Sequence, residues 1–256
     1  MKAFILKITR GYSRDMLRIH SSSIAFYIVV SALPLAAILI FVLSALSVSL
    51  VNELEALLYN LLPREFYYGL VTVIDGIEKN RVPSFVPFSI ITALWGSTKG
   101  VGGICYGIEK IFGTKERHTF ILRSIKTIWR TLLFYVLIIA SLVLFAIGRL
   151  IYVQDFILKL LILLRIPIFA LFLSLFFALL YARLSGTKIK SQLPGGIFSS
   201  VGWMLFTYFY SIYVSHALSS ANIYAEMGTL IFFVLWCYFC VNIILIGAEI
   251  NKSLIP

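Results

Sequence analysis

Six long apolar stretches, at approximately 24–50, 85–107, 128–149, 160–182, 194–215 and 226–250, take up most of this 256-residue chain. A hydrocarbon core about 30 Å thick is crossed by roughly 20 apolar residues of helix, and every stretch is long enough. Each is bounded by polar, Pro or Gly residues, and none alternates as a barrel strand does, so helices are predicted. Hydrophobic residues make up 61% of the chain and the mean hydropathy is +0.98, which excludes a dispersed soluble domain of this size. The expected fold class is all-α. Residues 1–256 read as a single polytopic membrane domain, a bundle of six transmembrane helices with short amphipathic interfacial helices.

The first stretch is too long for a cleaved signal peptide, whose apolar region runs about 7–15 residues, so it reads as a retained first helix. Pro34 lies inside it, and because proline removes a backbone donor a kink is expected there. The distribution of charge sets the expected orientation. With the N-terminus in the cytoplasm, and Lys99 counted with the loop that follows it, sixteen Lys and Arg fall inside and six outside, against four and seven acidic residues. That is the positive-inside pattern. With an even number of spans it places both termini in the cytoplasm, and it accounts for the formal net charge of +11 without nucleic acid.

Two polar regions have helical periodicity of their own. In residues 1–23, Lys2, Lys7, Arg10, Arg14 and Arg18 are interleaved with Phe4, Ile5, Ile8, Tyr12, Met16 and Leu17. This pattern suits either a helix lying on an anionic inner leaflet or a plain topology signal. Residues 51–84 contain Leu54, Leu57, Leu58, Leu61 and Leu62 at helical spacing, and after Pro63 a second run, Phe66, Leu70, Val71, Ile74 and Ile77. Two short amphipathic helices are predicted, lying at the outer interface or folding over the bundle, and too short to span.

Small residues mark where helices would approach closely. Gly96, Gly100, Gly103 and Gly107 recur in the second stretch, and Pro194-Gly195-Gly196 opens the fifth. In lipid such positions are packing sites, or breaks that line a cavity. Polar groups within the stretches are few. Asn242 and Glu249 are seven residues apart and share one helix face. Glu249 is either a helix-end carboxylate satisfied by a neighbouring cation or part of a polar path, with Lys99 a candidate partner. Tyr27 and Ser31, in line with Ser23, form a polar stripe before Pro34 that serves either packing or the same path.

Little here resembles an active site. Cys237-x-x-Cys240 has no second pair and no nearby His, so these cysteines, with Cys105, read as buried small hydrophobes, and neither a metal nor a cofactor is expected. The carboxylates on the cytoplasmic side, Asp15, Glu109, Glu116 and Glu249, are scattered, as are His20 and His118. Hydrolysis of RNA calls for a positioned acid and base or a metal cluster, so enzymatic activity and nucleic-acid binding are not expected.

The stretches S-S-S-I-A-F-Y-I-V-V-S-A-L-P-L (21–35), A-L-W-G-S-T-K-G-V (93–101), I-E-K-I-F-G-T-K-E-R (108–117), L-P-G-G-I-F-S-S-V-G-W (193–203) and Y-A-E-M-G-T-L-I-F-F-V-L-W-C-Y (224–238), leading to I-G-A-E-I-N (246–251), resemble in this order the YihY/BrkB family of bacterial inner-membrane proteins, historically labelled ribonuclease BN-like. The family often has Tyr-Gly where this chain has Tyr224-Ala225, and some members carry a long polar C-terminal tail that is missing here. The resemblance implies six transmembrane helices and a connection with envelope integrity, serum resistance and export of lipid-type molecules. Membrane lipids and a lipid-like substrate are the expected partners. A non-transporting membrane scaffold is the alternative. A continuous polar groove between helices would favour transport, and a fully packed interior the scaffold.

Overall fold

The computed structural model describes residues 2–46, 85–114, 156–219 and 225–255. The third apolar stretch (128–149) and the predicted outer helices in 51–84 lie outside the described residues. All described secondary structure is helical: α1 (Lys2–Arg14), α2 (Leu17–Leu46), α3 (Phe85–Phe112), α4 (Phe156–Ser185), α5 (Ile189–Ser219) and α6 (Ala225–Leu254). Within these residues three segments are long and apolar enough to cross a membrane, Pro167–Ser185, Ile189–Val214 and Ile231–Leu254.

The ends of the helices follow local chemistry. At the end of α3, Gly113 has φ +73°, its N–H donates to Lys110 O, and the N–H of Thr114 donates to Glu109 O. This is a Schellman cap, in which a left-handed residue lets the last free carbonyls be satisfied, and glycine takes that conformation without a Cβ clash. Gly186, at φ +70°, stands just past α4. Between α1 and α2 the left-handed position is held by Met16, at φ +52°, which costs a non-glycine residue more. Pro34 falls inside α2, which continues through it.

The chain divides into two compact units. One comprises Met1–Ser22, Val101–Thr207 and Phe239–Pro256; the other comprises Ser23–Gly100 and Tyr208–Tyr238.

In the first unit the core forms where α4, α5 and α6 meet. Phe177, Tyr181, Ile244, Leu245 and Ala248 are buried, and Phe177 stacks on Tyr181 and Trp203 at 6.3 and 5.7 Å. Consecutive glycines at the start of α5 face different neighbours. A Cβ on Gly195 would lie 2.1 Å from Gly247 O on α6, and one on Gly196 would lie 2.6 Å from Ser174 O on α4. The buried polar side chains of this region are tied into the backbone. Tyr181 donates to Ile244 O at 2.7 Å and stands 2.7 Å from Ser199 Oγ. Asn251 accepts the N–H of Gly195 at 2.6 Å and donates to Gln192 O at 3.0 Å. Outward, α4 presents Leu171, Leu175 and Leu179, and α5 presents Ile197, Val201 and Leu205. Large apolar stripes of this kind need lipid or protein to cover them.

In the second unit α2 meets α3 through small groups. A Cβ on Gly96 would lie 2.9 Å from Ser31 Cβ and 3.3 Å from Tyr27 O, and one on Gly100 would lie 3.0 Å from Ile28 Cγ1. Tyr27 meets Trp95 edge to face at 5.5 Å. The Tyr210 hydroxyl donates to Phe232 O.

Candidate functional site

In the first unit a recess lies where α1 rests on the last turns of α6. Asn242 and Glu249 share a face of α6, as their spacing predicts, and that face is covered by α1. The Tyr12 hydroxyl donates to Asn242 Oδ1 at 2.6 Å. One position earlier Gly11 leaves room for the Glu249 carboxylate, since a Cβ there would sit 1.6 Å from Glu249 Oε1. Lys7 donates to Ser253 O at 3.0 Å, a cation meeting a free carbonyl at the negative end of a helix.

Beside these contacts a cleft of about 420 Å³ opens, lined by Lys7, Arg10 and Arg14 of α1 and by Glu249, Lys252 and Ser253 of α6. Positions 7, 10, 11 and 14 fall on one face of a helix, so three cations and a glycine share it. Glu249 is 97% buried, with 3% of its surface exposed, and neither its Oε2 nor Ser253 Oγ has a hydrogen-bond partner among the described residues. The charges acting on its carboxylate are Lys252, Asp15, Arg14 and Lys7.

A second charged cluster adjoins the first. Arg14 grips both carboxylate oxygens of Asp15, Nε at 3.0 Å and a terminal nitrogen at 2.8 Å, and Lys252 stands 3.7 Å from Asp15 Oδ2. Lys110 donates to the Asp15 carbonyl at 3.1 Å and approaches His20 Nε2 at the same distance. Burial pushes the Asp15 carboxyl upward, but Arg14, Lys252 and Lys110 outweigh it and hold its pKa below the ordinary value. Burial, then Lys110, depress the pKa of His20, with Asp15 opposing them.

Because the folded pKa of Asp15 is depressed, its contribution is complete above the unfolded carboxyl range and is lost as pH falls through the folded value. Thermal unfolding of the purified protein between pH 7 and pH 2 should therefore show Asp15→Asn less stable than wild type at neutral pH, by on the order of 1 kcal/mol. The two curves should begin to approach each other below about pH 4 and meet only below the depressed folded value. Curves that stay parallel throughout would show that the ion pair contributes nothing.

The other residues singled out in the sequence are dispersed. Tyr27, Ser31, Lys99, Gly96, Gly100 and Pro34 belong to the second unit, and Gly103, Gly107, Gly195 and Gly196 to the first. Ser31 donates to Ile28 O of its own helix at 2.9 Å and lies against Gly96. Lys99 is exposed. Gly107 faces Leu245, whose Cδ2 would lie 3.0 Å from an added Cβ. Cys105, Cys237 and Cys240 are buried free thiols. Among the described residues no three His, Cys, Asp or Glu side chains converge as a metal site would need. Gly11, Tyr12 and Lys7 were visible in the sequence only as parts of an amphipathic lead-in; their role depends on contact with a segment over 200 positions away.

Two curated proteins bear on the family. The putative ribonuclease-like protein YfkH of Bacillus subtilis (strain 168) is 22% identical over 262 residues, covering 98% of this chain and 95% of its own length. The UPF0761 membrane protein PSHAa0171 of Pseudoalteromonas translucida (strain TAC 125) is 28% identical over 82 residues, 31% of this chain and 27% of its own. No solved structure matches the chain. The family model described as Virulence factor BrkB matches residues 8–255, and the chain belongs to that family, BrkB/YihY, a family of membrane proteins.

Proposed function

We propose that this protein is a six-span inner-membrane protein that moves or exports a lipid-like amphiphile and thereby supports the integrity of the envelope. What carries this reading is the basic cleft between α1 and α6. It adjoins a helix that is apolar along most of its length, and it offers charge where the hydrocarbon gives way to headgroups. On this reading both termini are cytoplasmic, the cleft faces the inner leaflet, and Asp15 and His20 beside it tie α1, α2 and α3 together and take no part in hydrolysis of RNA. An amphiphile needs both kinds of surface, a polar recess for its head and lipid-facing apolar helices for its chains.

The alternative, a non-transporting scaffold for an envelope complex, draws support from the interior of the first unit. There α5 touches α4 and α6 backbone to backbone at Gly196 and Gly195, and Tyr181 and Asn251 are hydrogen-bonded into the packing. Purified protein reconstituted into vesicles with fluorescent lipids separates the two. Transport predicts protein-dependent movement of label between leaflets, and a rate equal to that of empty vesicles would leave the scaffold.

Orientation has its own test. In a cysteine-free background, a cysteine replacing Lys188, in the turn between α4 and α5, should be shielded from an impermeant thiol reagent in intact cells. Cysteines replacing Asn60 and Asn80 should react. The reverse pattern would invert the topology.

A further inference from the structure

We propose that the α1–α6 cleft binds a headgroup carrying both a phosphate and a primary amine, of the phosphoethanolamine class, with the phosphate on Arg10, Lys7 and Lys252 and the ammonium on Glu249. This rests on the cleft being a headgroup site, as argued above, and adds which headgroup it selects.

The phosphate half follows from α1. Lys7, Arg10 and Arg14 lie on one helix face at spacings of three and four, where like charges repel. Arg14 is held by Asp15. Lys7 has one of its three donors on Ser253 O. Arg10 is exposed and has no side-chain partner among the described residues. An uncommitted guanidinium that shares its cleft with the ammonium groups of Lys7 and Lys252 is a site for a phosphate, which arginine grips through paired N–H bonds.

The amine half follows from Glu249. A site for an anion alone would not place a buried carboxylate among its cations, because the carboxylate repels the ligand. Glu249 lines the same cleft, is 97% buried given its 3% exposure, and keeps one oxygen without a hydrogen-bond partner. Ser253 Oγ, also lining the cleft, is in the same condition. An ammonium offers three donors to such acceptors. In phosphoethanolamine it lies two carbons from the phosphate, so one headgroup reaches cations and carboxylate together, and about 420 Å³ is within the range of ligand clefts. A phosphoglycerol head answers only the cations.

The test measures binding to the full-length protein in detergent, by native mass spectrometry or calorimetry, with dihexanoyl phosphatidylethanolamine, dihexanoyl phosphatidylglycerol and free phosphoethanolamine. Wild type should bind the ethanolamine lipid about tenfold or more tighter than the glycerol lipid. Glu249→Gln should erase that preference and Arg10→Ala should weaken both lipids. Equal binding of the two lipids by wild type, or a preference kept by Glu249→Gln, would overturn the proposal. If Glu249→Gln does not fold, Arg10→Ala decides, since Arg10 is exposed and an unchanged affinity there is equally fatal. Free phosphoethanolamine competing at the same concentration as the lipid would identify a soluble ligand, and competition by the lipid alone a membrane one. Selective binding in a protein that moves no lipid between leaflets would leave this site standing and remove the transport reading. Transport without headgroup preference would do the opposite.

Discussion

A single methyl group added at position 195 should cost this protein most of its stability. The Cβ of Gly195→Ala would stand 2.1 Å from the carbonyl oxygen of Gly247 and 2.5 Å from Asn251 Nδ2. Neither can yield cheaply. The first is helix backbone, and the second is held by its bond to Gln192 O. Relief requires α5 and α6 to separate, which breaks the Gly195–Asn251 hydrogen bond and opens the packing around Tyr181. Overpacking a core costs about 1–3 kcal/mol and occasionally more. With backbone as the obstacle and a buried hydrogen bond lost as well, about 4 kcal/mol is expected here. The purified variant should melt far below wild type in detergent or fail to run as a single species on gel filtration. Gly100→Ala is the comparison: its only tight contact would be with Ile28 Cγ1, at 3.0 Å, a side chain that can shift, while the Ile28 backbone stays at an ordinary 3.6 Å or more, so its melting temperature should stay close to wild type. Gly100→Leu should not be tolerated so well, because the longer side chain must displace Ile28. A Gly195→Ala protein as stable as Gly100→Ala would mean that α5 and α6 do not touch in this way.

The second large effect is expected at Asn251. Its amide is fully buried, accepts from Gly195 N–H and donates to Gln192 O. Asn251→Leu keeps a comparable volume and removes both bonds, leaving a donor and an acceptor buried without partners. Each such orphan costs about 1–3 kcal/mol, so a loss of about 2–6 kcal/mol is expected from the pair. Tyr181→Phe removes a hydroxyl of similar burial but strips Ile244 of only a secondary donor, and about 1 kcal/mol is expected. Thermal unfolding of the two variants side by side checks the ranking. A Tyr181→Phe variant less stable than Asn251→Leu would show that the network is anchored at the tyrosine.

Much of this was legible along the chain because hydropathy is a local property. The first, second, fourth, fifth and sixth apolar stretches fall on α2 to α6, and the basic lead-in contains the helix α1. The boundaries moved outward where polar residues continue a helix beyond its apolar part: α2 begins at Leu17 and α3 runs to Phe112. Within the site, the seven-residue spacing of Asn242 and Glu249 fixed their common face, since helical geometry alone decides it. What covers that face was not legible, because Tyr12 and Asn242 are separated by 230 positions and no local rule spans that distance. The glycines of the second stretch read as close-approach positions without a named partner; Gly96 and Gly100 meet α2 in one unit, while Gly107 meets Leu245 in the other. Gly247 stands alone in an apolar run and carried no pattern, although it makes one of the closest backbone contacts.

The docking of α1 also dictates an order of assembly. Synthesis at about 5–20 residues per second puts roughly 10–50 s between the appearance of Tyr12 and that of its partner Asn242. Throughout that interval an amphipathic, cationic helix has left the ribosome without the surface it will cover. A chain stalled before α6 holds the N-terminal half of the cleft and none of the other, so Lys7, Arg10 and Arg14 stay accessible to whatever inspects nascent membrane proteins. The hydrogen bonds from Tyr12 to Asn242 and from Lys7 to Ser253 thus form only after α6 has been made, so the cleft is assembled late although half of its lining is made early.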